Sequence, residues 1–211
     1  MCSELHQESR ELWNEPLLST EHFVVVPSLG AMLPGWLLIV PRQHQLTMSE
    51  CSSQVYEELE ELKSETTLLL ESTYETGVVE FEHGPSRPNL RVGCSVDHAH
   101  LHAVPVAENL LDSAITMFPD IQWQRTNGTA MLGDVGGRSY LYFSDQSRNE
   151  YLSTSNQLPS QMFRQVIAEL IGRPNEWNWR AFPCIDRATE TAQIVSKRLK
   201  PSQRANIRVR V

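Results

Sequence analysis

The chain has 211 residues, of which 40% are hydrophobic and 21% charged, with a formal net charge of −8. That length allows one full core plus an appendage, and the composition is that of an ordinary folded protein, not a disordered or fibrous one. The acidic balance disfavours general binding to a phosphate backbone, so nucleic acid is not an expected partner.

The longest apolar stretch, 31–40, is interrupted by Pro34 and Gly35, and a membrane span needs roughly 20 apolar residues. No membrane partner is expected. Residues 1–11 hold no basic region leading into an apolar one, so no secretory signal is read there and a cytoplasmic location is expected. Cys2, Cys51, Cys94 and Cys184 are scattered without a Cys-x-x-Cys pair. This fits a reducing compartment and argues against a disulfide framework or a structural zinc site.

In chain order, residues 20–27 read as a strand because Phe23, Val24, Val25 and Val26 are β-formers bounded by Pro27. Residues 36–40 follow the Pro34-Gly35 turn signal, stop at Pro41 and form a second strand beside the first. From Ser49 to Leu70 a helix is predicted: Val55, Leu59, Leu62, Thr66 and Leu69 share one face, and Glu57, Glu58, Glu60 and Glu61 occupy the other. Residues 78–82 read as a strand, and a loop with Gly84, Pro85, Pro88 and Gly93 follows. Residues 95–105 alternate apolar and polar at period two until Pro105, which predicts a further strand.

Beyond Asp112 the pattern is less regular, with short strands expected at 121–124, 138–143 and 150–153. Pro159-Ser160 opens a helix whose apolar face is Met162 or Phe163, Val166, Ile167, Leu170 and Ile171, with Gly172 and Pro174 as the stop. Trp177, Trp179 and Phe182 read as a packing cluster. The tail 196–211 carries Lys197, Arg198, Lys200, Arg204, Arg208 and Arg210 with no acid and reads as a solvated end. The expected architecture is α+β with a mostly antiparallel sheet, organised as a core over 1–112, a C-terminal extension over 113–195 and a basic tail over 196–211.

Three of the seven histidines, His98, His100 and His102, fall within five residues. On a strand they would project from one face at a spacing of roughly 6.5–7 Å, while Ala99, Leu101 and Ala103 point the other way. Buried imidazoles each need hydrogen-bond partners, so three together are hard to ascribe to packing. Two chemistries suit the row. It could ligate zinc or iron through neutral nitrogens, or one imidazole could attack phosphorus when its second nitrogen is held protonated by an acceptor such as a backbone carbonyl.

The segment Gly93-Cys94-Ser95-Val96-Asp97-His98-Ala99-His100-Leu101-His102-Ala103-Val104-Pro105 resembles the signature of the histidine-triad (HIT) family, in which histidines alternate with apolar residues. Upstream, Pro34-Gly35-Trp36-Leu37-Leu38-Ile39-Val40-Pro41-Arg42-Gln43-His44 is similar to that family's strand with a Pro-x-x-His end, and Glu82-His83-Gly84-Pro85 to its turn before the triad. The resemblance covers about residues 15–110. It implies a HIT-like fold, a nucleotide as small-molecule substrate, no cofactor, no metal, and a homodimer with the helix at 49–70 as a candidate interface.

It also implies roles. His100 matches the histidine that carries a covalent nucleotidyl intermediate, and His102 the one that contacts phosphate and the departing oxygen. His98 and His44 match supporting members of the network, and Ser95 a polar residue that binds phosphate or protonates the leaving group. Glu82, in the matched turn, joins the candidate substrate-binding residues, as does Gly93, whose neighbourhood offers backbone N–H groups to a phosphate. The third triad position is histidine and not glutamine, which in the family goes with transferases and phosphorylases, so hydrolysis is favoured.

Arg87 and Arg91, in a connection longer than in compact members, could reach a phosphate or another charged group. Asp97 faces away from the triad by alternation and receives no catalytic role. The stretches 158–164 and 177–180 are similar to longer bacterial HIT proteins, and there Gln161 and Arg164 lie three apart and could share a helix face near the site. The resemblance thus implies a nucleotidyl hydrolase acting at an α-phosphate. The alternatives are a nucleotidyl transferase or phosphorylase with an acceptor other than water, a metal-dependent enzyme with the three histidines as ligands, and a nucleotide-binding or scaffold protein.

Overall fold

A computed structural model of the chain describes residues 12–90, 92, 96–126, 135–155, 157–200 and 203. Its strands are β1 (Leu18–Ser19), β2 (Phe23–Pro27), β3 (Leu37–Pro41), β4 (Val78–Gly84), β5 (Leu101–Pro105), β6 (Gln124–Thr126), β7 (Tyr140–Ser144) and β8 (Glu150–Thr154). They form a single antiparallel sheet in the order β1-β2-β3-β5-β4-β7-β8-β6. The helices are α1 (Ser53–Tyr74), α2 (Leu110–Met117), α3 (Met162–Leu170) and α4 (Ile185–Arg198). The fold is α+β, as the pattern of the sequence implies.

The two faces of the sheet bury separate cores. Period-two alternation sends Phe23, Val25, Leu37, Ile39, Leu101, Ala103, Tyr140 and Tyr142 to the face covered by α1 and α4. Val79, Phe81, Val104, Leu141 and Phe143 go to the opposite face, under α2 and α3. Helix α1 buries Tyr56, Leu59, Leu62, Lys63, Thr66, Thr67 and Leu70, and Val55 and Leu69 sit at the margin. The stretch expected to open this helix at Ser49 is instead a 3-10 turn, Met48–Glu50. Lys63 enters the core because Glu60 and Glu80 lie 2.8 and 3.4 Å from its ammonium, and an unpaired buried charge would be prohibitive.

Helices α2 and α4 were not legible in the sequence. The expected solvated tail begins at least three residues too early, since α4 runs to Arg198 and Leu199 is still buried. Strands β6, β7 and β8 come from the expected extension, yet β7 pairs with β4 in register from Glu80–Ser144 to Gly84–Tyr140. Among the described residues no helix is long and apolar enough to cross a membrane. Cys51 and Cys184 are free thiols, and Cys2 and Cys94 lie outside the described residues.

Candidate active site

The expected triad strand is shorter than alternation suggests. Strand β5 begins at Leu101, opposite Ile39, so only His102 lies on it. Strand β3 continues through Val40 and Pro41, but no ladder pair joins these to β5, and the chain carrying His98 and His100 is held by other bonds. The Ala99 N–H donates to the Gln45 carbonyl at 2.8 Å, and His98 Nε2 donates to the Pro41 carbonyl at 2.8 Å. A carbonyl oxygen only accepts, so the proton of His98 is on Nε2.

All three imidazoles nevertheless line one cavity of about 260 Å³. Its floor is the open side of β2 and β3, with Val26, Leu38 and Val40, and its walls include Trp13, Ser28, Arg164 and Trp179. The rings of His100 and His102 are 4.9 Å apart. His100 Nδ1 lies 2.9 Å from the His98 carbonyl, which again fixes the tautomer: Nδ1 bears the proton and Nε2 keeps a lone pair. Burial lowers the His100 pKa below the ordinary imidazole value; the His98 carbonyl opposes this, and the neighbouring His98 and Arg164 add to it. The lone pair is therefore available at neutral pH.

His102 is buried and differently held. The Trp36 indole Nε1 donates to His102 Nδ1 at 2.9 Å, and Phe81 stacks on the imidazole at 4.5 Å. His102 Nε2 is buried and has no hydrogen-bond partner among the described residues. His83, on the same face of β4, stands edge-on to His102 at 6.3 Å and accepts from the Phe163 N–H at 3.4 Å. Burial, with His100 and Arg164 nearby, pushes His83 down to about 3, so it is neutral.

His44 is exposed and edge-on to His98, 5.2 Å away between ring centres, outside the cavity lining. Besides Trp179, the extension contributes Arg164 to the cavity wall. Its guanidinium lies over the Trp36 ring at 4.8 Å and donates to the carbonyls of Trp177, at 2.8 Å, and Gly30. Gln161 does not share its helix face: it precedes α3 in the left-handed region, φ 51°, and is buried away from the cavity.

Glu82 requires a correction. Alternation along β4 sends it to the face opposite the histidines, where it accepts from Tyr140 Oη and the Met48 N–H, and His83 takes the place on the histidine side. Arg87 belongs to a separate surface pocket with Ser86, Leu90, Gly137 and Ser139. Asp97 accepts from the Asn89 N–H at 3.0 Å, fastening the preceding loop. Gly93, Ser95 and Arg91 lie outside the described residues.

Sequence reasoning missed Trp36, His83 and Trp179 as members of the site. The first two were accessible through strand alternation, since Trp36 immediately precedes β3 and His83 shares a face with Phe81. Trp179, read as packing, stands in the cavity wall, held there by the segment that follows it: the Gly30 N–H donates to the Pro183 carbonyl at 2.6 Å. Gly30 has φ +69°, and a Cβ there would run into Trp179 and the Arg164 guanidinium. Among the described residues, no group of three or more histidine, cysteine or carboxylate side chains is placed to hold a metal ion.

No family model and no curated protein matches the chain. Solved structures do. A HIT-like protein involved in cell-cycle regulation from Bartonella henselae is 10% identical, over 45% of this chain and 71% of its own, with a TM-score of 0.39. A hypothetical histidine triad nucleotide-binding protein from Sulfolobus tokodaii is 18% identical over 44% of this chain, which spans 61% of that protein, with a TM-score of 0.37. Both overlaps are partial and of low score, and the chemistry of the site has to be read from its side chains.

Proposed function

We propose that the chain is a phosphoryl-site enzyme working by covalent catalysis, and more particularly a HIT-type nucleotidyl hydrolase that cleaves at the α-phosphate of a nucleotide conjugate. The observation that carries this reading is the bond from His100 Nδ1 to the His98 carbonyl. It leaves the Nε2 lone pair of a neutral imidazole in a cavity, which is the form that attacks phosphorus. The apolar floor of β2 and β3 and the indoles of Trp13 and Trp179 suit a planar base, and the N–H of His102 suits a phosphoryl oxygen.

In the first displacement the Nε2 lone pair of His100 bonds to phosphorus and the bond to the leaving oxygen breaks. The imidazole becomes an N-phosphorylated cation whose Nδ1 proton still points to the His98 carbonyl. Water then attacks phosphorus, the electron pair of the N–P bond returns to Nε2, and the products are a nucleoside monophosphate and a proton. Splitting one difficult displacement in two lowers each barrier.

His100→Ala should lose at least about a thousandfold in kcat while nucleoside monophosphate still binds, because the missing interaction is made in the transition state. Mass spectrometry of acid-sensitive adducts after mixing wild-type protein with a nucleotidyl ester should find the added mass on the peptide containing His100. Near-normal turnover of His100→Ala would remove the proposal.

A further inference from the structure

We propose that Trp36 is a positioning residue that locks His102 as a neutral Nε2–H donor and so restricts the enzyme to leaving groups that depart without a proton: phosphoanhydrides and acidic phenols, not amines or alcohols. This rests on the nucleotidyl-histidine reading above. An indole N–H can only donate, so His102 Nδ1 must be the acceptor of the 2.9 Å bond, and the ring's single proton is on Nε2. That Nε2–H is buried, meets no partner among the described residues, and belongs to a ring 4.9 Å from the nucleophile's.

Charging His102 would require a proton on Nδ1, facing the indole N–H. One 2.9 Å hydrogen bond would become a repulsion between two donors inside a buried cluster. Trp36 cannot yield by turning: it is fully buried, edge-on to Phe81 at 5.9 Å and covered by Arg164 at 4.8 Å. The groups that face His102 from the other elements push the same way. Burial, then His100, His83 and Arg164, hold it well below the ordinary imidazole value.

A neutral imidazole is a hydrogen-bond donor but a very poor acid. His102 can therefore stabilise charge on a phosphoryl oxygen throughout the displacement without surrendering its proton. Among the described residues, the other fixed donors of the cavity do not replace it. The His98 Nε2 proton is committed to the Pro41 carbonyl and the Ser28 hydroxyl to the Leu29 carbonyl, while a guanidinium such as Arg164 keeps its protons at neutral pH. When the P–O bond breaks, its electron pair leaves as an oxyanion. Only a weakly basic leaving group tolerates that.

The test joins one spectroscopic and one kinetic measurement. Nitrogen NMR of histidine-labelled wild-type protein between pH 5 and 8 should show His102 protonated on Nε2 alone throughout. The kinetic probes are adenylyl esters of phenols of graded acidity, with adenosine 5′-phosphoramidate as the amine case. Wild-type protein should show a steep rise in rate with leaving-group acidity that persists at acid pH. In Trp36→Phe, below about pH 6.5, that dependence should flatten, and the phosphoramidate should gain at least about tenfold relative to the most acidic phenol.

A proton on His102 Nδ1 in wild-type protein would overturn the lock, and that measurement needs no variant. An adenylyl-protein formed with a leaving-group dependence unchanged in Trp36→Phe would overturn the proposal alone. Failure of every ester to form an adenylyl-protein would overturn the nucleotidyl reading, and the selectivity with it.

Discussion

Tyr140 donates a hydrogen bond to Glu82 on the sheet face opposite the histidines, and the Met48 N–H donates to the other carboxylate oxygen at 2.8 Å. No cation is among the groups that shift this carboxyl. Burial raises it to about 7 against those two hydrogen bonds, and Glu50 adds to the rise. The folded state thus keeps a proton that the unfolded chain gives up near pH 4.5. Stability from this group is present below about 4.5 and is lost as pH rises through 7, by about 3 kcal/mol.

Glu82→Gln removes that ionisation and leaves an acceptor for Met48. Measured by urea denaturation, the variant should gain on wild type as pH rises from about 5 to 7, and the gain should level off above that. The depressed histidines His83, His100 and His102 act with the opposite sign, losing stability as pH falls below about 6.5, but they are common to both proteins and cancel in the difference. Parallel stability curves would show that Glu82 is ionised in the folded protein.

Gly30 is the point where the loop after β2 meets the wall formed by Trp179. Gly30→Val imposes a β-branched side chain on a positive φ and drives it into Trp179. The expected cost is about 2 kcal/mol or more in stability, with weaker binding of adenosine monophosphate in calorimetry, since the wall must move. Wild-type affinity in the folded variant would mean that Trp179 does not shape the ligand's seat.

Arg87 opens onto its own pocket with Ser86 and Ser139, apart from the histidines. Arg87→Ala should therefore leave KM for an adenylyl ester within about twofold even at low salt, where an exposed cation acts furthest. A salt-sensitive rise in KM would place this pocket on the path of a longer conjugate.

What the sequence disclosed followed the periodicity of its elements. Phe23–Pro27 and Leu37–Pro41 are continuous β-forming runs that end at prolines, so their strands were legible, and it is their burial that alternates. The approach of His98 and His100 alternates apolar and polar residues in the sequence but has no strand partner, because chain beyond Pro41 supplies a carbonyl from Gln45 and not a ladder. Period alone cannot show that. Helix α4 was hidden for another reason: its buried side is made of Ala188, Thr191, Ala192 and Val195, small residues that give little apolar contrast against so many charges. Glu82 was misplaced by taking a motif's neighbourhood for its geometry, since a shift of one residue along a strand exchanges faces.

The pairing of β7 onto β4 decides how the molecule can be divided. A fragment ending at 112 would leave Val78–Gly84 as a bare edge, with the backbone groups that now bond to Tyr140–Ser144 unpaired. The same cut would strip Phe163 from Phe81 and His83. An exposed edge of that length invites pairing with other copies, so such a fragment would be recovered as an aggregate even though every histidine of the triad were present. The motif-bearing half and the half that follows it therefore make one cooperative unit, which has to be expressed whole.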